Sequence, residues 1–176
     1  LKLSQAGIPT VIIAGNHGHP KLRETGSPLR LFEHLPHIHP VYRGQRETIE
    51  VATRDGLLRI HAVPQCSDNA TLAAEVATIT ASSTGQDVLV LHGAVSTLKA
   101  FAHAEFNELS LDPSWFDHRF HYVALGHYHG VQQVTPKAWY CGAPDRVSMA
   151  EAGQEKGFLE VSLAPTGLGV QFHGLP

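Results

Sequence analysis

Three short segments of the sequence combine glycine with side chains that bind metal ions. They are Gly15-Asn16-His17, His92-Gly93 and Gly126-His127-Tyr128-His129. Imidazole nitrogen and amide oxygen form a mixed donor set, which suits Mn²⁺, Fe²⁺ or Zn²⁺ better than a metal selected by thiolates. In a tight loop, the two histidines of an H-x-H segment can straddle two adjacent ions. The residue types and their spacing therefore predict a metal site.

Each of these segments follows an apolar run that is typical of a buried strand. The runs cover residues 10–14, 87–91 and 120–125. Buried parallel strands have near-continuous hydrophobic sequences, and ligand sites in open α/β sheets form at the carboxyl ends of the strands. Three strand ends that carry metal-binding side chains therefore predict one shared site.

The remaining elements are predicted from turn and capping signals. Asp55-Gly56 predicts a hairpin between strands at 48–53 and 57–63, and Asp68 is expected to begin a helix that runs to about residue 81. Ser27-Pro28 predicts a short helix toward Leu35. A helix end before Gly7, a short helix at 113–117 and strands at 131–134, 139–141, 157–163 and 169–172 complete the prediction.

Composition limits the classes of function. The 176 residues are 43% hydrophobic and 16% charged, which is typical of one globular domain. A net charge of −3 argues against a general electrostatic grip on nucleic acid, and no apolar run is long enough for a membrane span. Cys66 and Cys141 form neither a disulfide framework nor a C-x-x-C pair, so we expect a cytoplasmic protein. The 13 histidines favour metal or acid–base chemistry.

In this order, the three segments resemble the last three metal motifs of the calcineurin-like metallophosphoesterase superfamily. Residues 120–133 and 139–144, with Glu151 and Lys156-Gly157-Phe158, further resemble the SbcD-type DNA-repair exonuclease subunits. The resemblance extends from Ile8 to about Leu163. It implies an α/β fold, a two-sheet sandwich with flanking helices that lacks its first strand-helix units. Residues 1–176 are accordingly expected to form a single metallophosphoesterase core domain that is incomplete at the N-terminus.

The resemblance also implies phosphodiester hydrolysis with two divalent metal ions, most often Mn²⁺, with Mg²⁺, Fe²⁺ or Zn²⁺ as alternatives. Asn16, His92 and His127 match ligands of one ion, and His129 matches a ligand of the other. His17 matches the family's histidine near the scissile phosphate, where it would stabilise or protonate the leaving oxygen. Arg146 is expected either to contact phosphate or to pair with a nearby carboxylate.

Two departures from the family pattern affect this prediction. The upstream Asp-x-His and Gly-Asp-x-x-Asp motifs are not in this sequence, which leaves one ion with three protein ligands and the other with His129 alone. The chain could therefore bind fewer than two ions. Gly18 stands where the family usually has an acidic residue that orients the preceding histidine.

The leading hypothesis is an SbcD-like exonuclease or endonuclease subunit that acts on DNA ends, of which this chain is a fragment. The resemblance implies an SbcC-type, SMC-like ATPase as partner and a homodimer of the full-length parent, with no membrane association. One alternative is a phosphodiesterase of the same superfamily that acts on nucleotides or small molecules. Another is a catalytically inactive binding or scaffold module, which the missing carboxylates and Gly18 favour.

Overall fold

The computed structural model describes residues 1–18, 26–98 and 108–176, and strands dominate this part of the chain. Of the described residues, 39% lie in strands and 15% in helices. The strands are β1 (Thr10–Ile13), β2 (Ile38–Val41), β3 (Glu47–Thr53), β4 (Gly56–Ala62), β5 (Gln86–His92), β6 (Ala94–Val95), β7 (Ser110–Leu111), β8 (Tyr122–Gly126), β9 (Val131–Thr135), β10 (Ala138–Cys141), β11 (Gly157–Ala164) and β12 (Gly167–Gly174). The helices are α1 (Lys2–Gln5), α2 (Asn69–Ala77) and the 3-10 helices Pro28–Phe32, Pro113–Trp115 and Met149–Glu151.

The main sheet has six strands in the order β3-β4-β5-β8-β10-β9. Its four inner strands run parallel, and the edge strands β3 and β9 run antiparallel to their neighbours. Thr53 pairs with Gly56 at the end of the β3–β4 hairpin, which confirms the turn predicted from Asp55-Gly56. The carboxyl ends of β5 and β8 therefore lie side by side.

The principal core joins α2 to the middle of this sheet. Leu72 and Val76 on α2 are buried in the same cluster as Leu89 of β5 and Val123 of β8. Burial of each such side chain stabilises the fold by roughly 1.5–3 kcal/mol. The helix begins where predicted, because the Asp68 side chain caps it, and it ends earlier than predicted, at Ala77.

Three further sheets in the described part have two strands each: β1 with β2, β6 with β7, and β11 with β12. The end of β1 is tied to the remainder of the fold by its backbone. The Ala14 amide donates to the Val41 carbonyl at 2.8 Å, and the Ala14 carbonyl accepts from the Gln65 amide at 2.7 Å. These bonds place the loop after β1 beside the loop that follows β4.

The predicted helix-flanked, two-sheet metallophosphoesterase sandwich is wrong for this structure. The described residues form one six-stranded mixed sheet and only two α-helices, of which α1 is a single turn. A continuous apolar run shows that a strand is buried, but it does not show what covers it. Leu109, Leu111 and Phe116, from β7 and its flanking segments, contribute to the core where helices were expected.

Several local predictions are confirmed in modified form. The apolar runs form β1, β5 and β8, of which β5 and β8 are largely buried as predicted and β1 is half-buried throughout. The helix expected after Ser27 is the 3-10 helix Pro28–Phe32, capped by the Ser27 hydroxyl. The loop predicted over residues 15–20 begins as a turn at 16–18, and its last two residues lie outside the described ranges. Among the helices described, none has the length and apolar character needed to cross a bilayer.

Candidate metal centre

The ends of β1, β5 and β8 bring Asn16 and His92 into contact. His92 is the last residue of β5 and lies opposite Gly126 of β8 in the register of the sheet. Asn16 follows β1 and is buried. Nε2 of His92 donates to Oδ1 of Asn16 at 2.9 Å. Two of the three predicted strand ends therefore meet through their side chains.

The His92 ring lies close to glycine on two sides. A Cβ atom at Gly15 would lie 2.4 Å from Cε1 of His92, and one at Gly126 would lie 3.1 Å from Nδ1 of the same ring. The first distance is a severe overlap and the second is a tight contact. The glycines of the first and third segments thus create the space that the imidazole of the second segment occupies.

His127 completes this group from the end of β8. Its ring centroid lies 5.3 Å from that of His92, and the two planes are inclined by 79°. Nε2 of His127 donates to Oε1 of Glu108 at 3.0 Å, and only 7% of the histidine side chain is exposed. The φ angle of His127 is +120°, a value that L-residues rarely adopt and that costs on the order of 1–3 kcal/mol. The fold holds this residue in a strained backbone conformation next to His92.

His129 lies in a second group, built from charged side chains. Its Nδ1 donates to Oε1 of Glu151 at 3.0 Å, and Lys156 lies 2.6 Å from the other oxygen of this carboxylate. Hydrogen bonding from Lys156 is the main reason that the pKa of Glu151 is lowered to about 2, with bonds from His129, Ser148 and the Val147 amide adding to it. Glu151 is therefore ionised at neutral pH, and His129 faces a carboxylate anion.

The other two predicted site residues lie at the surface. His17 is exposed in the turn that also contains Asn16. Arg146 is exposed too, and its guanidinium donates to the carbonyl of Gln154 at 2.8 Å. Its backbone amide, and not its guanidinium, bonds to the Asp145 side chain. This contact of the guanidinium within its own loop is neither the carboxylate pair nor the phosphate contact expected for Arg146.

Asn16, His92 and His127 form the group best suited to hold a metal ion. The 2.9 Å separation of Oδ1 and Nε2 is close to the spacing, about 3.0 Å, of two ligands that bind one ion at right angles with bonds of about 2.1 Å. The residues present therefore fit a divalent cation with mixed nitrogen and oxygen ligation. Across the described ranges, no three His, Cys, Asp or Glu side chains form a metal-binding cluster, and this group relies on an amide as its third member.

Three charged residues lie near the predicted ligands but were not predicted from the sequence to be site residues. Glu108 pairs with His127 from nineteen positions away, and Glu151 pairs with His129 from twenty-two. Lys156 is the third. The sequence analysis named Glu151 and Lys156 only as residues that carry the family resemblance. The spacing of Ser148 and Glu151 is a helix-start pattern, and the Ser148 hydroxyl does bond to this carboxylate, but the pattern does not indicate a partner as distant as His129.

A comparison of the chain with protein-family models and with curated proteins found no match in either set. The resemblance to metallophosphoesterases therefore rests on the sequence motifs alone.

Proposed function

We propose that this chain is the core of a metal-dependent phosphodiesterase that acts on DNA ends, in the manner of the SbcD-type subunits. The observation that carries the proposal is the contact between Asn16 and His92 at 2.9 Å, with the His127 ring beside it. These side chains come from three separate strand ends and combine the donor types that bind Mn²⁺, Fe²⁺ or Zn²⁺.

The residues have distinct roles in this proposal. Asn16, His92 and His127 would hold one divalent ion, and His129 would contribute to a second. Ions held there would supply Lewis-acid stabilisation of the phosphate. His17 lies in the same turn as Asn16 and is exposed, so its imidazole can approach a bound phosphate and stabilise or protonate the leaving oxygen. Arg146 could reach phosphate only after it leaves the Gln154 carbonyl.

The substrate and partners rest on the resemblance in residues 120–158. On the basis of this resemblance, we propose DNA ends as the substrate. We also propose an SbcC-type ATPase as the partner and a homodimer of the full-length parent. We also propose a cytoplasmic location, because both cysteines are free thiols in the structure.

The first test measures metal content and cleavage together. The full chain is loaded with Mn²⁺ and desalted, and its metal content is determined by elemental analysis. It is then assayed on linear duplex DNA and on cyclic nucleotides. We expect at least one ion per chain and cleavage of DNA, both lost in His92→Ala. His39→Ala is the matched control, because His39 is exposed on β2. A chain that retains no metal and cleaves neither substrate would overturn the proposal, and cleavage of cyclic nucleotides alone would favour the small-molecule alternative.

A binding module without turnover is the second candidate, and one observation favours it. The carboxylates that lie nearest the predicted ligands, Glu108 and Glu151, are each engaged with a histidine. Gly18 offers a way to separate the candidates, because a Cβ atom there makes only ordinary contacts of 3.7 Å. If Gly18→Asp gains turnover on DNA, the chain is an impaired enzyme. If it binds Mn²⁺ and still cleaves nothing, the binding module is the better description.

A further inference from the structure

A buried ion pair between Glu151 and Lys156 lies directly behind His129. Nζ of Lys156 is 2.6 Å from Oε2 of Glu151, and their side chains are only 4% and 8% exposed. Removing two charges from water is costly, and a buried pair is often no more stabilising than apolar residues of the same size. Stabilisation of the fold therefore does not by itself explain why this ion pair is present. The contacts that Glu151 and Lys156 make suggest another role.

Both members of the pair contact the same residue. Oε1 of Glu151 accepts from Nδ1 of His129 at 3.0 Å, which holds the ring. Nζ of Lys156 donates to the backbone carbonyl of His129 at 2.9 Å, which holds the main chain. The Ser148 hydroxyl donates to the same Oε1 at 3.1 Å and fixes the carboxylate in turn. His129 is thus held at its ring and at its backbone by charged groups that bond to each other.

The exposure of His129 shows that these contacts do not serve to bury it. Its side chain remains 43% exposed, whereas Glu151 behind it is almost fully buried. A histidine that donates Nδ1–H to a carboxylate presents Nε2 on the opposite side of the ring. Histidines that bind metals commonly donate their other ring N–H to a carboxylate, which fixes the tautomer and raises the basicity of the ligand nitrogen.

We propose that Glu151 and Lys156 are positioning residues for His129. They hold its imidazole in the Nδ1–H tautomer and fix the ring, so that Nε2 is the atom presented to a metal ion. The metal-binding part of this inference rests on the function proposed above. The tautomer and the fixed ring do not, because both are properties of the metal-free chain.

The test begins with the tautomers of two histidines in the metal-free protein. Long-range ¹H–¹⁵N correlation spectra of the chain labelled at histidine distinguish Nδ1–H from Nε2–H at a pH of about 8.5, where imidazoles are neutral. His173 provides an internal reference, because its Nε2 donates to Glu160 at 2.7 Å on the surface of the β11–β12 hairpin. We expect Nδ1–H for His129 and Nε2–H for His173. If His129 in the unaltered chain gives the signal of the Nε2–H form, the proposal is wrong, and the results for the variants do not change this.

The variant replaces both charges together, so that neither is left buried alone. Glu151→Met/Lys156→Met keeps the side-chain length and exchanges the ion pair for apolar groups, a change that buried pairs often tolerate. We expect the Nδ1–H signal of His129 to be lost in this variant and the His173 signal to stay. The matched control, Glu160→Met, should leave the Nδ1–H signal of His129 as it was. Retention of the Nδ1–H form in the double variant would show that the pair does not set the tautomer.

A second readout connects the pair to the metal. Calorimetric titration with Mn²⁺ should show affinity reduced 10–100-fold in Glu151→Met/Lys156→Met and unchanged in Glu160→Met. If the unaltered chain binds no Mn²⁺, the proposed function fails, and the tautomer spectra still decide whether the pair holds His129. If the chain binds a second Mn²⁺ ion and the double variant binds it equally well, the pair does not position His129 for metal and the proposed function stands.

Discussion

The Glu108 carboxylate lies 3.0 Å from Nε2 of His127, although nineteen residues separate the two in the chain. Glu151 lies at the same distance from Nδ1 of His129. The two histidines of one H-x-H segment are therefore held through opposite ring nitrogens. The ring nitrogens that do not bond to these carboxylates are Nδ1 of His127 and Nε2 of His129.

Replacing the carboxylate next to His127 is expected to weaken metal binding without unfolding the chain. Glu108→Gln keeps the shape and an acceptor oxygen but removes the negative charge that faces Nε2 of His127. We expect the affinity for Mn²⁺, measured by calorimetric titration, to fall 10–100-fold. Glu160→Gln is the matched control, since Glu160 also pairs with a histidine but is 64% exposed on the β11–β12 hairpin. Equal affinities for the two variants would contradict a role for Glu108 at the metal site.

A methyl group at Gly15 should abolish metal binding although it removes no ligand. In Gly15→Ala, the new Cβ atom would lie 2.4 Å from Cε1 of His92, so the ring must move away from Asn16. We expect loss of Mn²⁺ from the desalted protein, measured by elemental analysis. Gly18→Ala is the control three residues along the chain, where the added Cβ atom makes contacts of 3.7 Å. It should retain the metal content of the unaltered chain, and a Gly15→Ala protein with the same content would show that the His92–Asn16 contact is not needed.

The sequence was sufficient to predict features that depend on neighbouring residues. The Asp55-Gly56 turn, the Asp68 cap of α2 and the apolar runs of β5 and β8 each depend on a few consecutive side chains, and all are present in the structure. The parallel arrangement of β5 and β8 then brings His92 opposite Gly126. The register of the main sheet does not predict the contact between Asn16 and His92, because Asn16 follows a half-buried strand of the separate β1–β2 sheet.

The remaining features depend on distant contacts that leave no local pattern. The sandwich prediction failed because an apolar strand does not specify its cover, and segments around Leu111 and Phe116 fill part of the core where helices were expected. Glu108 and Lys156 were missed for the same reason, since an isolated charged residue is usually solvated. Their burial becomes apparent only when the chain is folded around them.

The cap of α2 should make stability depend on pH in the acid range. The pKa of Asp68 is lowered chiefly by the hydrogen bond that its carboxylate accepts from the Thr71 amide. A carboxyl with a lowered folded-state pKa contributes stability that is full above its unfolded pKa of about 3.9 and is lost as the pH falls through the folded value. Asp68→Asn keeps a capping oxygen but does not titrate.

The two proteins should therefore differ at neutral pH and converge in acid. Thermal unfolding followed by circular dichroism should give the unaltered chain a midpoint about 1–4 °C above that of Asp68→Asn at pH 7. We expect this difference to shrink as the pH falls below about 4, because protonation removes the charge that the first turn of the helix stabilises. A difference that stays constant over this interval would show that the Asp68 charge does not contribute.

A single buried hydroxyl links β10 to the segment that follows His92. The Tyr140 hydroxyl donates to the Gly93 carbonyl at 2.7 Å and accepts from the Val95 amide at 2.9 Å. In Tyr140→Phe, both backbone groups lose this partner inside the core, where an unsatisfied polar group costs about 1–3 kcal/mol. We expect the free energy of unfolding in urea to fall by about that amount.

Tyr122→Phe is the comparison, because Tyr122 lies on the neighbouring strand β8 and its hydroxyl is not part of this link. Its loss of stability should be smaller than that of Tyr140→Phe. The Mn²⁺ affinity gives a second measurement, since Gly93 adjoins His92 and its amide also bonds to the Gly126 carbonyl at 3.2 Å. If Tyr140→Phe loses stability and metal affinity together while Tyr122→Phe keeps its affinity, the hydroxyl orders the end of β5 as well as the core. Equal effects in the two variants would mean that the Tyr140 hydroxyl has no particular connection to the metal centre.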